Sequence, residues 1–169
     1  MLEMLKIIDE WTRYLEKGGQ RDAIFIGFEK AFDKVPHRLL ISKLNAYKLD
    51  QKMISWIEEF LSNRKHRVNI NGKYSKWGEV TSGVPQGSVL EPVLFILYIN
   101  YFPAYCGKNS ELYLFADDAK LFRHITCSTD NLTLQSDLHA IKEWTDKSLL
   151  KLNYSKCKAL SLGMQVCQQ

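Results

Sequence analysis

The spacing of apolar residues predicts a helix at the start of the chain and a strand after it. The apolar positions of the helix are Leu2, Leu5, Ile8, Trp11 and Leu15. Intervals of three and four residues place them on one helix face, and Gly18-Gly19 ends the helix. The next apolar run, Ala23 to Ile26, is short and continuous, which is typical of a strand buried on both faces.

Two further helices and a hairpin are predicted over residues 36–80. Pro36 suits the first turn of a helix. The apolar stripe of that helix is Leu39, Leu40, Leu44 and Tyr47. Asp50 is the predicted N-cap of a third helix. The inward positions of the third helix are Ile54, Ile57, Phe60 and Leu61. Asn71-Gly72 is the strongest hairpin signal in the chain, so residues 68–70 and 74–80 are expected to pair as strands.

The second half of the chain predicts an apolar helix, a strand pair, a long helix and a final strand. Ser88 suits the N-cap of the apolar helix, residues 89–100, which is apolar almost all round and should be buried. Apolar runs on both sides of Asp117-Asp118 predict strands that meet in a tight turn. The long helix opens at Ser128 or Thr129. Its inward side is Leu132, Leu138, Ile141 and Trp144. A last strand is expected at residues 159–162, and the pattern is that of one α+β unit.

Composition and charge describe an ordinary globular protein. The chain has 169 residues, 46% of them hydrophobic, and a formal net charge of +4, which mildly favours a polyanionic partner. The cysteines and histidines are widely spaced, so the sequence indicates neither a zinc site nor a disulfide framework, and we expect a reducing compartment. The cysteines are Cys106, Cys127, Cys157 and Cys167.

The sequence pattern indicates neither a signal peptide nor a membrane span. The N-terminus carries acidic residues early, and the most apolar run, residues 89–99, is interrupted by Glu91 and Pro92. We therefore expect an intracellular protein of the nucleus or cytoplasm, without a membrane partner.

Asp117 and Asp118 are the first candidates for chemistry. Adjacent carboxylates at a hairpin tip repel each other unless a cation lies between them, and Mg²⁺ prefers such oxygen ligands. On its own, the pair is more typical of a solvated turn than of a metal site. A second candidate is the loop of residues 83–88, whose glycines allow close backbone approach and whose following helix N-terminus favours phosphate. Such a loop also occurs simply as the start of a helix.

Several segments, taken in order, resemble the reverse transcriptases of non-LTR (LINE-like) retrotransposons. They are FEKAFDKVPH, FLSNRKHRVNINGKYSKWGEVTSGVPQGSVLEPVLFILYIN, LFADD and WTDKSLLKLNYSKCKALSLG. The similarity covers residues 23–163 and extends weakly through the N-terminal helix, residues 1–20. It implies an α+β fold, the right-hand polymerase palm with its antiparallel sheet, as a single partial domain over residues 1–169. Fingers and thumb are expected to be largely missing.

The resemblance also implies a chemistry. In this family the 3′-hydroxyl of a DNA primer attacks the α-phosphate of a dNTP on an RNA template, and two Mg²⁺ ions stabilise the attacking and leaving oxygens. Asp117 and Asp118 match the paired aspartates that serve as catalytic metal ligands. The positions that match the nucleotide site of the family are Phe32, Gln86, Gly87 and Lys156.

Arg64, Lys65 and Arg67 form a basic segment with two interpretations. In the first, they hold a nucleic-acid phosphate backbone without reading its sequence. In the second, they keep the edge of the predicted hairpin soluble and unpaired. The sequence favours neither.

One position departs from the family pattern at the predicted metal site. The first motif of the family reads Asp-Phe-x-Lys-Ala-Phe-Asp, and its first aspartate, the third catalytic carboxylate, is replaced here by Gly27. Glu29 is an improbable substitute because the family accepts varied residues there, and Asp33 has its own place in the pattern. Since losing this ligand removes transition-state stabilisation on the order of several kcal/mol, we expect weakened or lost Mg²⁺ binding and activity close to nil.

Two further departures lie outside the aspartates. Glu91 stands where the family usually has glycine, and its charge at the start of a helix is tolerable if it faces water. Tyr101-Phe102-Pro103 replaces the usual Asp-Leu-Pro.

Three hypotheses follow. The leading one is a reverse transcriptase palm from a decayed retroelement copy, with catalysis lost. The alternative is a co-opted nucleic-acid-binding module without chemistry. The third is an active enzyme in which Gly27 is an isolated variant. The sequence does not predict the oligomeric state.

Overall fold

The computed structural model describes residues 2–16, 18–107 and 110–163. The α-helices are α1 (Leu2–Glu16), α2 (His37–Ala46), α3 (Gln51–Leu61), α4 (Leu90–Ile99) and α5 (Ser128–Lys147). The strands are β1 (Gln20–Gly27), β2 (Lys65–His66), β3 (Asn69–Ile70), β4 (Lys73–Tyr74), β5 (Gly78–Glu79), β6 (Ser110–Phe115), β7 (Asp118–Ile125) and β8 (Lys158–Gly163). Short 3-10 helices span Phe32–Lys34 and Phe102–Tyr105. Two residues named in the sequence analysis lie outside the described part: Cys167, and Leu2 as far as its side chain is concerned.

The chain divides into two compact units. The sheet unit comprises the described residues within Met1–Phe28, Tyr101–Lys147 and Lys151–Gln169, and the helical unit comprises Glu29–Asn100 and Ser148–Leu150. Each unit is described by itself below. The assignment of residues 1–169 to a single partial domain stays a prediction.

The sheet unit is built on four antiparallel strands in the order β6-β7-β1-β8. The predicted strands at residues 23–26 and 159–162 and the strand pair around the two aspartates are therefore confirmed. Ala23 and Ile26 of the central strand β1 are buried on opposite faces, as the continuous apolar run predicted. Trp144 of α5 packs against Phe28 and Phe102, with ring centroids 6.5 and 4.5 Å away.

The predicted N-terminal helix is confirmed as α1, and its second half packs on the sheet. The Trp11 ring lies edge-on to Phe122 at 4.8 Å, and the buried Arg21 guanidinium lies 5.5 Å from the centroids of both rings. Leu5 and Ile8 are 62% and 53% exposed, so the first half of the apolar stripe is at the surface. The spacing of the apolar residues predicted the helix, but it did not predict which part of the helix packs against the sheet.

In the helical unit, α2, α3 and α4 bury apolar side chains against each other. Asp50 caps α3 as predicted, because its carboxylate accepts the amides of Lys52 at 2.9 Å and Met53 at 3.4 Å. The prediction that the apolar helix, now α4, is buried all round is wrong. Leu94 and Tyr98 are buried, whereas Val93 and Ile96 are 50% and 56% exposed. A helix that is apolar on every side gives no signal of which side will be covered.

The predicted hairpin forms at Asn71-Gly72. Both residues have positive φ, 50° and 79°, as the mirror-image two-residue turn requires. β3 pairs with β4 across this turn, and β2 pairs with β5 beyond it. The returning strand, expected at residues 74–80, is thus divided into two short ladders.

The long helix α5 confirms its predicted start at Ser128 and, at Ile141 and Trp144, part of its predicted inward side. Leu132 is 71% exposed, and Leu134 is buried in its place together with Ile141 and Trp144. The polar Asp137 lies on the same buried side and interrupts the apolar pattern there. Its carboxylate accepts the amide of Gly107 at 2.9 Å and the hydroxyl of Ser110. A buried carboxylate with such donors is tolerated where an unpaired one is not.

Within the described residues, no helix is long and apolar enough to cross a membrane. Cys106, Cys127 and Cys157 are free thiols, and burial together with the nearby Asp137 carboxylate raises the pKa of Cys106 to about 12.

Asp130 in the first turn of α5 predicts how stability depends on pH. Its carboxylate accepts the amide and hydroxyl of Thr126 at 2.9 and 2.7 Å and the Arg123 guanidinium at 2.9 Å. These bonds, those from Thr126 first, hold the pKa of Asp130 well below its ordinary value. A carboxyl whose pKa is lowered in the folded state stabilises the protein above the pKa of the unfolded state, about 4, and loses that contribution at lower pH.

We therefore expect Asp130→Asn to lower the free energy of unfolding at pH 7 by about 1–3 kcal/mol. The difference in the free energy of unfolding between this variant and the unmodified chain should become smaller below about pH 4. Urea denaturation followed by circular dichroism at pH 7, 5 and 3 measures this difference. Asp146→Asn is the matched control, because its ion pair with Lys142 is exposed to solvent and contributes little to stability. A difference that stays constant over this pH range would contradict the assignment.

Candidate functional site

Asp117 and Asp118 lie at the turn between β6 and β7. The strands pair up to Phe115 and Asp118, so the connection consists of Ala116 and Asp117. Ala116 has φ +51°, a conformation that costs a non-glycine residue about 1 kcal/mol or more. The predicted tight turn is confirmed, with Asp117 inside it and Asp118 as the first residue of β7. Their role as metal ligands stays a prediction.

The position of Gly27 follows from the register of β1 against β7. Gly27 is paired directly with Asp118, at the end of the ladder. Residues opposite each other in an antiparallel pair point to the same face, with β-carbons about 5 Å apart. A side chain at position 27 would therefore lie beside the Asp118 carboxylate. The position that the sequence analysis identified as the missing carboxylate is thus next to one of the remaining two.

The chain before β8 passes over Gly27. Residues 153–157 form a turn in which the Asn153 side chain accepts the amide of Ser155 at 3.1 Å. The amide of Asn153 donates to the Gly27 carbonyl at 2.8 Å, which holds this turn against the end of β1. Lys156 lies in the turn, and with Gly27 and Asp118 it lines an open cavity of about 460 Å³.

The other predicted nucleotide-site residues belong to the helical unit. Phe32 packs its ring on Phe95 with centroids 4.3 Å apart. The Gln86 amide donates to the Asp33 carboxylate at 3.0 Å. Gln86 and Arg64 line one open cavity of about 500 Å³. Gln86 was predicted for the nucleotide site and Arg64 for a nucleic-acid backbone, so residues predicted for two different contacts share this cavity.

Ser88 and Glu91 accept hydrogen bonds from backbone amides at the start of α4. The Ser88 hydroxyl accepts the amide of Glu91 at 3.1 Å, and the Glu91 carboxylate accepts the amide of Gly87 at 2.7 Å. Glu91 is half-buried and hydrogen-bonded rather than simply facing water. Its carboxylate takes the backbone donor that a phosphate at this helix start would use. Ser88 was predicted as the cap of this helix, whereas the Ser-x-x-Glu spacing that indicates a role for Glu91 was missed.

The predicted basic segment is exposed, and two of its three members lie over aromatic rings. The Arg64 guanidinium is 5.6 Å from the centroid of Phe60. The Arg67 guanidinium is 3.9 Å from Tyr74 and 4.6 Å from Trp77. Lys65 is in β2, opposite Glu79 of β5.

The residues in place do not fit a site for two divalent ions. Asp117 and Asp118 are oxygen donors, but the adjacent position is a glycine with the side chain of Lys156 beside it. Among the described residues, no three or more His, Cys, Asp or Glu side chains are grouped so as to hold a metal ion. Lysine donates hydrogen bonds and repels cations, so it does not replace the missing ligand.

Two lysines of this cavity were missed by the sequence analysis. Lys120 follows Asp118 by two residues in β7, and Lys158 starts β8. The period of two along a strand was enough to place Lys120 on the face of Asp118. For Lys158 no such signal exists, because its place depends on the pairing of β8 with β1.

Comparison with known proteins agrees with this fold and these motifs. Residues 3–167 match the family described as reverse transcriptase (RNA-dependent DNA polymerase). The chain is 30% identical over 164 residues to the RNA-directed DNA polymerase from mobile element jockey of Drosophila funebris, covering 92% of this chain and 18% of that protein. It is 32% identical over 142 residues to the probable RNA-directed DNA polymerase from transposon BS of Drosophila melanogaster, covering 80% and 16%.

The fold is also that of a solved structure. Apo telomerase from Candida tropicalis, truncated from its C-terminal domain, superposes with a TM-score of 0.70 at 16% identity, covering 96% of this chain and 35% of that one. The predicted α+β polymerase palm is confirmed. The chain thus spans less than a fifth of the curated relatives above. It belongs to the reverse transcriptase family, in the group that non-LTR retrotransposons encode.

Proposed function

We propose that this chain is a reverse transcriptase palm that has lost two-metal nucleotidyl transfer. The supporting observation is the register that pairs Gly27 with Asp118. The reaction of the family would join a dNTP to a DNA primer on an RNA template, with Mg²⁺ as the metal. Asp117 and Asp118 would supply two of the three carboxylates for it, and the third is missing.

The steric surroundings of Gly27 support this proposal. A β-carbon at position 27 would lie 2.8 Å from Cβ and 3.2 Å from Cδ of Lys156. Carbon atoms do not approach this closely, so any side chain here requires the turn of residues 153–157 to shift. The space that a carboxylate would need is therefore filled by Lys156, at the base of its side chain rather than at its flexible end.

The two carboxylates that follow Gly27 most closely in the sequence, those of Glu29 and Asp33, have other partners. Glu29 forms an ion pair with Lys34 at 2.8 Å, and Asp33 accepts the Gln86 amide. These contacts therefore do not support Glu29 or Asp33 as a replacement for the metal ligand missing at position 27. Phe32, Gln86, Gly87 and Lys156 remain the proposed nucleotide-site residues, on the strength of their match to the family motifs.

We expect no primer extension by this chain. With an RNA template, a DNA primer, dNTPs and Mg²⁺, product formation should equal that of the Asp117→Asn variant, because each factor of ten in rate corresponds to about 1.4 kcal/mol and a missing central ligand costs several times that. Denaturing gel electrophoresis of a labelled primer measures this. Extension that the Asp117→Asn control lacks would refute the proposal.

Restoring the carboxylate should strengthen divalent metal binding. Gly27→Asp is expected to raise the affinity for Mn²⁺ at least tenfold over Gly27→Asn, measured by isothermal titration calorimetry. The asparagine variant has the same shape and meets the same Lys156 contact, so the comparison isolates the charge. Both variants should be less stable than the unmodified chain, by about 1–3 kcal/mol, because of that contact. Equal Mn²⁺ affinities would show that position 27 is not the lost ligand.

A second candidate function is nucleic-acid binding without catalysis. The observation that favours it is the exposed cluster of Arg67, Tyr74 and Trp77, with Arg64 and Lys65 beside it. Arginine and exposed aromatic rings together suit a single strand, since phosphates contact the cations and bases stack on the rings.

This second function predicts salt-dependent RNA binding that depends on the basic segment. Replacing Arg64, Lys65 and Arg67 with glutamine should weaken binding of a short single-stranded RNA at least tenfold at 50 mM salt, measured by fluorescence anisotropy. The charge-matched control replaces Arg38, Lys48 and Lys52, which are exposed and lie outside the basic segment, and should weaken binding less than threefold. Equal losses of RNA affinity in the two triple variants would show that only net charge matters, and the hypothesis of a nucleic-acid-binding module would fail.

A further inference from the structure

An exposed apolar surface of the helical unit lies over α3 and α4. The helix α2 packs against both of them, and an open groove of about 500 Å³ lies between α3 and α4. Met53 and Trp56 of α3 line this groove on one side, and Val93 and Leu97 of α4 line it on the other. Met53, Trp56 and Val93 are each about half exposed. A contiguous apolar patch of this kind marks an interaction surface, because its contact with water costs free energy.

Trp56 lies at the centre of the exposed face of α3. Its ring stacks on Phe60 with centroids 6.2 Å apart. Trp56 also lines a second, smaller hollow of about 320 Å³, together with Lys52 and Glu59. Residues three and four positions apart share a face of a helix, so these three side chains form one stripe. The indole is therefore a ridge between two hollows, one of them apolar and the other bordered by a charge of each sign.

The order of the charges along α3 makes this stripe complementary to itself. Lys52 lies in the first turn of α3 and Glu59 in the last turn. If two copies of α3 lie antiparallel about a twofold axis at Trp56, Lys52 of one copy is beside Glu59 of the other, and the contact occurs twice. Met53 and Phe60 both lie on the other flank of Trp56, so the same rotation brings them together as well.

From this self-complementarity we propose that the surface joins two copies of this chain in a symmetric dimer. The two Trp56 rings meet at the axis and cover the apolar groove beside each α3. Tryptophan is among the residue types that most often dominate the binding energy of an interface. The charges select the antiparallel direction, because a parallel pairing of the two helices would place like charges side by side. An unrelated apolar helix would use the groove but would not need opposite charges at the two ends of α3.

The size of the surface determines how strong the dimer is. The helices α3 and α4 have 11 and 10 residues, so each is about 15 Å long and about 10 Å wide, and their combined face covers on the order of 300 Å². Stable complexes bury roughly 800 Å² on each partner. We therefore expect a dissociation constant on the order of 10–100 µM, with the dimer in exchange with the monomer.

Sedimentation velocity of the whole chain, over concentrations from about 1 to 300 µM, tests the proposal. The sedimentation coefficient should rise with concentration from the value of a monomer to that of a dimer. Trp56→Ala should weaken self-association at least tenfold. Trp77→Ala is the matched control, because Trp77 is equally exposed but lies on the hairpin, outside this surface. It should change the dissociation constant less than twofold.

The charge order is tested by reversal. Lys52→Glu and Glu59→Lys should each weaken self-association at least threefold at 50 mM salt, because each variant places like charges beside each other. A chain that carries both substitutions has opposite charges across the axis again, so its affinity should return to within twofold of the unmodified chain. Glu58→Lys is the matched control, with the same change in net charge and an expected effect below twofold. Glu58 is exposed in the same turn, on the side of α3 away from Trp56.

Three results would overturn the proposal: a chain that stays monomeric at 300 µM, equal losses in Trp56→Ala and Trp77→Ala, or a double charge variant as weak as the single ones. A monomeric chain that binds an amphipathic helical peptide through Trp56 would assign the surface to another partner and would also overturn the dimer. Circular dichroism checks the folding of each variant, and the charge variants decide if Trp56→Ala does not fold. Primer extension by the unmodified chain would refute the loss of catalysis without affecting these results.

Discussion

Eight consecutive residue pairs, from Gln20 with Ile125 to Gly27 with Asp118, hold β1 against β7. A slip of one residue would turn every side chain to the opposite face, and the buried Ala23 and Leu121 along the two strands do not permit it. The last pair of this ladder is therefore as fixed as the core behind it. It places a residue without a side chain next to Asp118, at the position predicted to hold the third carboxylate of the family.

The electrostatics of the sheet face follow from that pair. A site for divalent cations needs several carboxylates whose mutual repulsion the ions offset. Here Asp118 shares its cavity with Lys120, Lys156 and Lys158, which repel cations. The turn of residues 153–157 packs closely on the glycine, since the Gly27 carbonyl accepts the Asn153 amide and Lys156 lies where a β-carbon at position 27 would need space. The packing around this position therefore suits a glycine and opposes a larger residue.

The helical unit shows a comparable adjustment at the start of α4. Glu91 stands where the family usually has glycine. Its carboxylate accepts the amide of Gly87, and the Ser88 hydroxyl accepts the amide of Glu91. A carboxylate in this position stabilises the helix by about 1 kcal/mol, both through the hydrogen bond and through the helix dipole. It also places a negative charge where a phosphate would bind. In each unit, then, a position that departs from the family pattern has become part of a stable local structure.

The sequence determined the identity and order of the elements. Short-range rules sufficed for Asp50 as a cap, for Asn71-Gly72 as a turn and for the aspartates at a hairpin tip, because each depends on neighbours along the chain. The motifs likewise identified the family and predicted a missing carboxylate at Gly27. Only the tertiary structure decided which side of α4 is covered, that Leu134 rather than Leu132 is buried, and that Lys156 and Lys158 line one cavity with Asp118. These outcomes depend on pairing and packing between residues distant in sequence, which hydrophobic periodicity does not encode.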